Sequence, residues 1–308
     1  MKAVHSNVSL DELCRLFGKT RQAYHKSTSN AETRQEKHGH ILAFVKEQRK
    51  DLPRVGTEKL QYMLASQAGI LIGRDALYSL LRANKLLVKK HRKRGPKLTD
   101  GDGNSIWPDL RKEIGPVERA NEFWCSDITY MWLREGRRHC YATFVVDEYS
   151  HLIVGFTVAQ DMSAQATLEA LKMAVAAQGA PLDYKFSFGL VFHSDRGSQF
   201  KSGLFQGFLD SHQIGPSMTQ DGKASDNPVS ERLNGIIKNE LLLTDTFDNF
   251  EHAVEMVTRA VHIYNTRRPH RSCNMLTPQQ AHEKGSGPLK KLWKQRKKKT
   301  KAAKVLKA

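Results

Sequence analysis

Residues 190–200 read Leu190-Val191-Phe192-His193-Ser194-Asp195-Arg196-Gly197-Ser198-Gln199-Phe200. A short apolar run ends on a carboxylate. Runs of this length suit a buried strand. Open α/β sheets place their chemistry at the carboxyl ends of such strands. Further on, Asp226-Asn227-Pro228-Val229-Ser230-Glu231-Arg232 leads into a helical pattern and sets a second carboxylate one turn in. An earlier strand-like run, Glu122 to Tyr130, carries a third, Asp127. Three acids on separate elements can converge on divalent metal, and hard oxygen donors suit Mg²⁺ or Mn²⁺.

Around this stretch the pattern is one of strands and helices in mixed order. Phe123 to Met131, His139 to Val146 and Leu152 to Val158 are strand-like, with Glu135-Gly136-Arg137-Arg138 as a turn. Asp147 and Glu148, between the second and third runs, are expected in a solvated turn. Ser163 opens an alanine-rich helix to Gln178, Ser198 to His212 is predicted helical, and Ile214 to Met218 is a short strand. Phe247 to Tyr264 is amphipathic, with Phe250, Ala253, Val254, Val257, Ala260, Val261 and Tyr264 on one face. A three-strand meander followed by helix, strand, helix, strand, helix predicts a mixed sheet flanked by helices. That order is the ribonuclease-H-like one, here an α/β core over residues 118–284.

The N-terminal region is expected to be all-α. Ser9 and Glu12 form a capping box ahead of Leu10, Leu13, Leu16 and Phe17. Gly18-Lys19 breaks that helix, and Thr20 can cap a second, Arg21 to Lys26. Two short helices around a glycine turn match helix-turn-helix geometry, and equally any small helical hairpin. Arg21, Gln22, His25 and Lys26 on the second helix are candidate DNA contacts. A longer polar helix, Ala31 to Lys50, completes a first region at 1–50. Helices starting at Gly56 and Gly73 form a second, 51–98. It ends in a basic linker in which Lys89, Lys90, Arg92, Lys93 and Arg94 are expected to track phosphate. The lysine-dense segment 285–308 is expected to be a disordered tail that touches DNA without sequence preference.

Composition narrows the function classes. The 308 residues hold 49 Lys+Arg against 32 Asp+Glu, a net charge of +17. A polyanion is the natural partner, nucleic acid first among them. The four cysteines, Cys14, Cys125, Cys140 and Cys273, form no Cys-x-x-Cys pair, which argues against a zinc finger or a disulfide framework. Mean hydropathy is −0.55, no window suits a bilayer, and the N-terminus lacks a signal-peptide order. A cytoplasmic, nucleoid-associated protein without membrane contact is expected.

The spacing of the acids points to a family. Between Asp195 and Glu231 lie 35 residues. With Asp127 ahead of them, the set resembles the retroviral-integrase-core transposases, in particular the catalytic downstream-frame product of the IS-three family of bacterial insertion sequences. Four blocks carry the resemblance. They are Trp124-Cys125-Ser126-Asp127-Ile128-Thr129-Tyr130; His193 to Phe200; Ser217 with Asp226-Asn227 and Glu231; and Tyr264-Asn265 with Arg268-Pro269-His270. Cys125 and Ser126 depart from the commoner residues, as does Pro228, which a helix's first turn tolerates.

The resemblance implies that Asp127, Asp195 and Glu231 are catalytic and bind two Mg²⁺ ions, with Mn²⁺ as a substitute. It implies that Lys238, seven residues after Glu231, grips a DNA phosphate, and that Ser217, Asn227 and His193 support the site. A packed core role is the alternative for His193. The implied reaction is nicking at element ends, then strand transfer by the freed 3′-hydroxyl into a target duplex. The implied partners are the terminal repeats, a second copy of the chain on DNA, and an upstream-frame protein supplied separately or by fusion. Two rival readings are a metal-dependent nuclease of the same fold and a DNA-binding regulator with a vestigial core. Covalent joining of a labelled 3′-end to a second duplex separates them.

Overall fold

Successive side chains of a strand point to opposite faces, and residues 123–133 divide accordingly. Phe123 and Cys125 pack with Val191 in one cluster, while Trp124 belongs to a larger cluster with Leu168, Leu171, Phe192, Phe200, Phe205 and Leu209. This strand, β1 (Phe123–Leu133), therefore has core on both sides. The computed structural model describes residues 8–88, 104–178, 189–220, 227–244 and 246–289. Lys89, Lys90, Arg92, Lys93, Arg94 and the 290–308 tail lie outside the described residues. The chain divides into two compact units, 1–90 and 91–308.

In the second unit β1 pairs antiparallel with β2 (Arg138–Asp147), which pairs antiparallel with β3 (Ile153–Ala159). On its other edge β1 pairs parallel with β4 (Val191–Ser194), and β4 pairs parallel with β5 (Gly215–Met218). The order β3-β2-β1-β4-β5, with a two-residue β6 (Thr246–Phe247) on the end of β1, is the ribonuclease-H-like mixed sheet. Helices α6 (Ala164–Gln178) and α7 (Gly203–Ser211) supply the larger cluster on one face. Val229 of α8 (Pro228–Ile236) and Leu110 of α5 (Leu110–Ile114) pack on Phe123, Cys125 and Val191 on the other. The amphipathic helix α9 (Phe250–Thr266) buries Ala253, Val257, Ala260, Val261 and Tyr264, the expected stripe. Asn265 at its end donates to Ile153 O and accepts from Ile153 N, both at 3.0 Å, and so fixes α9 to the first residue of β3. A short α10 (Pro278–Glu283) follows, opened by a Thr277–Gln280 capping box.

The first unit is helical. α1 (Leu10–Leu16) is capped by Ser9 Oγ, which accepts from Glu12 N. α2 spans Arg21–Asp51, capped by Thr20. The two helices expected at 21–26 and 31–50 are thus one. The connecting Ser27-Thr28-Ser29-Asn30 holds no glycine or proline, and Thr28 and Thr33 turn their hydroxyls back onto the carbonyls of Tyr24 and Ser29. Such back-bonding weakens a helix without ending it. Ile41 and Val45 of α2 are buried, as are Leu60, Met63 and Leu64 of α3 (Thr57–Ala68) and Leu77 and Leu81 of α4 (Arg74–Ala83). The apolar stripe expected on α1 is only partly covered: Leu10 and Leu13 are half-buried, Leu16 and Phe17 are exposed, and the buried residue of the helix is Cys14.

Two further expectations are corrected. Residues 198–202 form turns rather than the start of α7. Phe200 N bonds Gly197 O and Ser202 N bonds Gln199 O, and Ser202 then caps the helix through Phe205 N. Asp147 does not lie in a solvated turn. It is fully buried and accepts from Asn121 N, Ser150 N and Ser150 Oγ at 2.6–2.7 Å, which fixes the β2–β3 turn. Glu148 pairs with Arg111 at 2.8 Å.

Candidate active site

The sheet register brings the first two acids together. Cys125 stands opposite His193 in the parallel β1–β4 pairing. Asp127 and Asp195 are each two residues further on, so both project to the same side. Adjacent strands run roughly 4.8 Å apart, which makes the two carboxylates neighbours. Asp127 Oδ1 accepts from Ile128 N, and Asp195 Oδ1 accepts from Gly197 N, each at 2.9 Å. A Cβ at Gly197 would stand 2.9 Å from Gln199 Oε1 and 3.0 Å from Asp195 Oδ1, so a larger residue there would displace the ends of both side chains. Gln199 in turn donates to Met162 O and ties the Asp195 loop to the segment before α6.

The third acid arrives on α8. Asn227 precedes that helix, is buried, and donates to Ser126 O at 2.8 Å, docking the helix start beside β1. Pro228 occupies the first turn, where its missing N–H costs nothing. Glu231 lies in that turn. Asn234, one turn later on the same face, donates to Asp127 Oδ2 at 2.8 Å. Asn234 did not emerge from the sequence motifs. Its three-residue spacing from Glu231 was the available signal.

The electrostatics report the grouping. Withdrawal from water, the Asp195 charge and the Glu231 charge push the Asp127 carboxyl up to about 7, against the hydrogen bonds from Ile128 and Asn234. Burial also raises Asp195, opposed by Gly197 N–H and by the charges of Arg196 and Lys201. Burial raises Glu231. Tyr130, near the same carboxylates, is raised by burial and then by Tyr141, Asp195 and Asp127.

A pH dependence follows. The folded chain binds the Asp127 proton more tightly than the unfolded chain, whose value is near 3.8. The stability this contributes is full below about pH 4 and lost as pH rises through about 7. With a chelator present, the wild-type melting temperature is expected to fall relative to Asp127→Asn between about pH 4 and pH 7 and to run parallel to it above. Scanning calorimetry of both proteins at each pH checks this, and parallel curves throughout would remove the shared-field picture.

The supporting residues sit behind the acids. His193 is fully buried, with Nδ1 2.8 Å from Ser217 Oγ and 4.0 Å from Asp109 Oδ1. Ser217 Oγ also accepts from Leu110 N at 3.0 Å, so it joins β5, β4 and α5. Lys238 donates to Tyr130 O on β1 at 2.5 Å. It lies just inside a π-helical segment, Ile237–Leu242, rather than on a straight continuation of α8. In the other unit Arg21, Gln22, His25 and Lys26 are exposed on the first turns of α2.

Among the described residues, ligand atoms all lie within 4.8 Å of one another only at His151, His270 and Cys273. The two imidazoles face each other, with centroids 4.4 Å apart and planes 30° apart, and Cys273 Sγ donates to Ser150 O. An imidazole nitrogen ligates in the plane of its ring, so nearly parallel rings do not converge on one ion. This cluster packs the β2–β3 turn against the segment after α9. Asp127, Asp195 and Glu231 do not meet that distance among the described residues.

Residues 117–224 match an integrase core domain family, and residues 212–278 match a second family of the same description. A 31 kDa protein of insertion element IS600 from Shigella sonnei is 28% identical over 88% of this chain and 98% of its own length. Transposase InsF of insertion sequence IS3A from Escherichia coli K12 is 26% identical over 90% of this chain and 94% of its own. Among solved structures, the HTLV-2 integrase catalytic core domain in complex with magnesium superposes with a TM-score of 0.40 at 21% identity. It covers 58% of this chain and 99% of its own. No described helix is long and apolar enough to cross a membrane.

Proposed function

We propose, on the premise that this chain belongs to the IS3-type insertion-sequence transposases with an integrase core, that it cuts the ends of a mobile DNA element and joins the freed 3′-hydroxyls to a target duplex. The observation that carries the proposal is the buried Asp127 carboxyl, to which Asn234 of the Glu231-bearing helix donates and which burial first, then Asp195 and Glu231, push up. Burying an acid beside other acids costs stability that a packed core has no use for.

The donor set fits a hard divalent cation. It consists of carboxylates, and their mutual repulsion is the charge a cation offsets. Asp127, Asp195 and Glu231 would hold two Mg²⁺ ions, with Mn²⁺ as a substitute. When bound, such ions supply Lewis acidity at the scissile phosphate for in-line displacement. The chain's own residues do the positioning. Asn234 and the Ile128 N–H orient Asp127, and the Gly197 N–H orients Asp195. Lys238, beside Tyr130 on the same strand as Asp127, would grip a phosphate of the bound duplex. Asn227, Ser217 and His193 hold the framework that carries the acids.

Outside the core, Arg21, Gln22 and Lys26 are proposed to contact the element ends, with Lys89, Lys90, Arg92, Lys93 and Arg94 on flanking phosphates. Joining two ends requires at least two copies of the chain on DNA, and an upstream-frame protein could complete the assembly.

The test uses purified full-length protein, Mg²⁺, a duplex of the element end labelled at its transferable 3′-terminus, and an unlabelled target duplex. The expected result is labelled strand covalently attached to target. Cleavage without joining would support the nuclease reading, and binding without cleavage the regulator reading.

A further inference from the structure

We infer that Arg268 is a positioning residue for Lys238, acting through Glu240 and the π-helical turn that carries both. The inference rests on the proposed phosphate contact of Lys238.

An α-helix advances about 100° per residue. On a straight continuation of α8, Glu240 would stand about half a turn round from Glu231, and Lys238 near Glu231's own face. The segment 237–242 is instead π-helical. Such turns insert one residue, are rare, and occur mostly as single-turn bulges in α-helices, frequently at functional sites. Here the turn is held from two sides. On one, Lys238 donates to Tyr130 O, three residues beyond Asp127 on β1. On the other, Glu240 Oε2 accepts from Arg268 Nη2 at 2.6 Å and from Arg268 Nε at 3.1 Å.

Arg268 is a firm anchor. It is 2% exposed, and its guanidinium lies 5.7 Å from the Tyr264 ring centroid. It follows α9, which Asn265 bonds to the first residue of β3. A buried guanidinium stripped of its carboxylate is strongly unfavourable, so Glu240 stays on it. Removing the inserted residue would turn everything after it by about 100°, and both bonds could not survive. Arg268 therefore fixes the register that sets Lys238 on the Tyr130 carbonyl, three residues beyond Asp127 on β1. The Arg268-Pro269-His270 block becomes part of the active-site framework without touching substrate.

The test removes the pair without stranding a charge, by Arg268→Gln combined with Glu240→Gln. In DNA-free protein, acylation of Lys238 is followed by mass spectrometry against the exposed Lys172. A several-fold rise in Lys238 reactivity is expected, with Arg268→Lys restoring part of the protection. Unchanged reactivity overturns the inference, whatever the enzyme does with DNA. On element ends, the pair is expected to slow joining about tenfold with Lys238 present and less than about twofold in a Lys238→Ala background. An equal loss in both backgrounds also overturns it. Joining that ignores Lys238→Ala, alongside the expected acylation change, would instead remove the phosphate contact and leave the positioning intact. If the Gln pair does not fold, Glu240→Asp, which keeps the charge on Arg268 and shortens its reach by one methylene, goes through the same two measurements.

Discussion

Asp127→Asn is expected to abolish end joining, lowering its rate by at least about a thousandfold, or ~4 kcal/mol of barrier. Asp195→Asn and Glu231→Gln are expected to do the same. The exchange of carboxylate for amide keeps shape and removes charge. Ile128 N and Asn234 Nδ2 donate to different oxygens of Asp127. The new amide oxygen can keep the bond from Ile128 N, and Asn234 keeps its contact by turning its own amide so that its oxygen accepts from the new NH2, so local structure survives. What disappears is the anionic oxygen that a hard cation needs. Binding of the element end should change by less than about twofold. Affinity for a duplex is carried by phosphate contacts, and those belong to the excess of 49 basic over 32 acidic residues. A gel for joined product and fluorescence anisotropy for binding are the two measurements. The same substitution should raise the melting temperature of metal-free protein above neutral pH, because it removes a charge whose burial, and then whose repulsion by Asp195 and Glu231, push Asp127 up to about 7. A variant that is more stable and inactive separates loss of chemistry from loss of fold. Joining at a wild-type rate by any of the three variants would end the assignment.

Much of this site was legible in the sequence because it follows from strand registry and helix starts, which are short-range. An apolar run ending on Asp195, a strand-like run carrying Asp127, and a helix opening at Asn227-Pro228 put the candidate acids on three separate elements. What escaped depends on partners distant in the chain. Asp147 looks solvated until Asn121 and Ser150 are seen to donate into it. Helix α2 runs through Ser27-Thr28-Ser29-Asn30 because those residues disfavour helix only mildly, and no proline forbids it. The π-helical turn has no local signature: Arg268, 28 residues after Glu240, holds it. Asn234 carries no motif of its own, and its role appears only once β1 lies beneath it. Residues 198–202 have helical composition, yet the Asp195 carboxylate claims the Gly197 N–H and the chain turns before α7 can begin.

Gly155→Ala is expected to be among the most damaging single changes to the second unit, although Gly155 is remote from every acid in motif terms. It lies in β3 beneath α6, and a Cβ built there collides with the Ala170 carbonyl oxygen. It would also stand 2.8 Å from Ala174 N and 2.9 Å from Ala174 Cβ. These are mostly backbone atoms of a helix, so no side chain can swing aside. Either α6 lifts from the sheet or β3 bends. Lifting α6 opens the cluster in which Leu168, Ala170, Leu171 and Ala174 meet Trp124 and Phe192. Overpacking of a well-packed core costs roughly 1–3 kcal/mol, more when backbone must move, and about 3 kcal/mol or above is expected here. For a unit of this size that is a fall of about 6–12 °C in melting temperature. Gly207→Ala is the matched control. Gly207 is exposed within α7, with nothing inside 4 Å of an added Cβ, and alanine there should stabilise by roughly 0.5–1 kcal/mol. Circular dichroism melts of the two variants should therefore shift in opposite directions from wild type. A Gly155→Ala protein melting within about 2 °C of wild type would show that β3 and α6 do not approach so closely, and the sheet-to-helix packing that supports the acid-bearing strands would need redrawing.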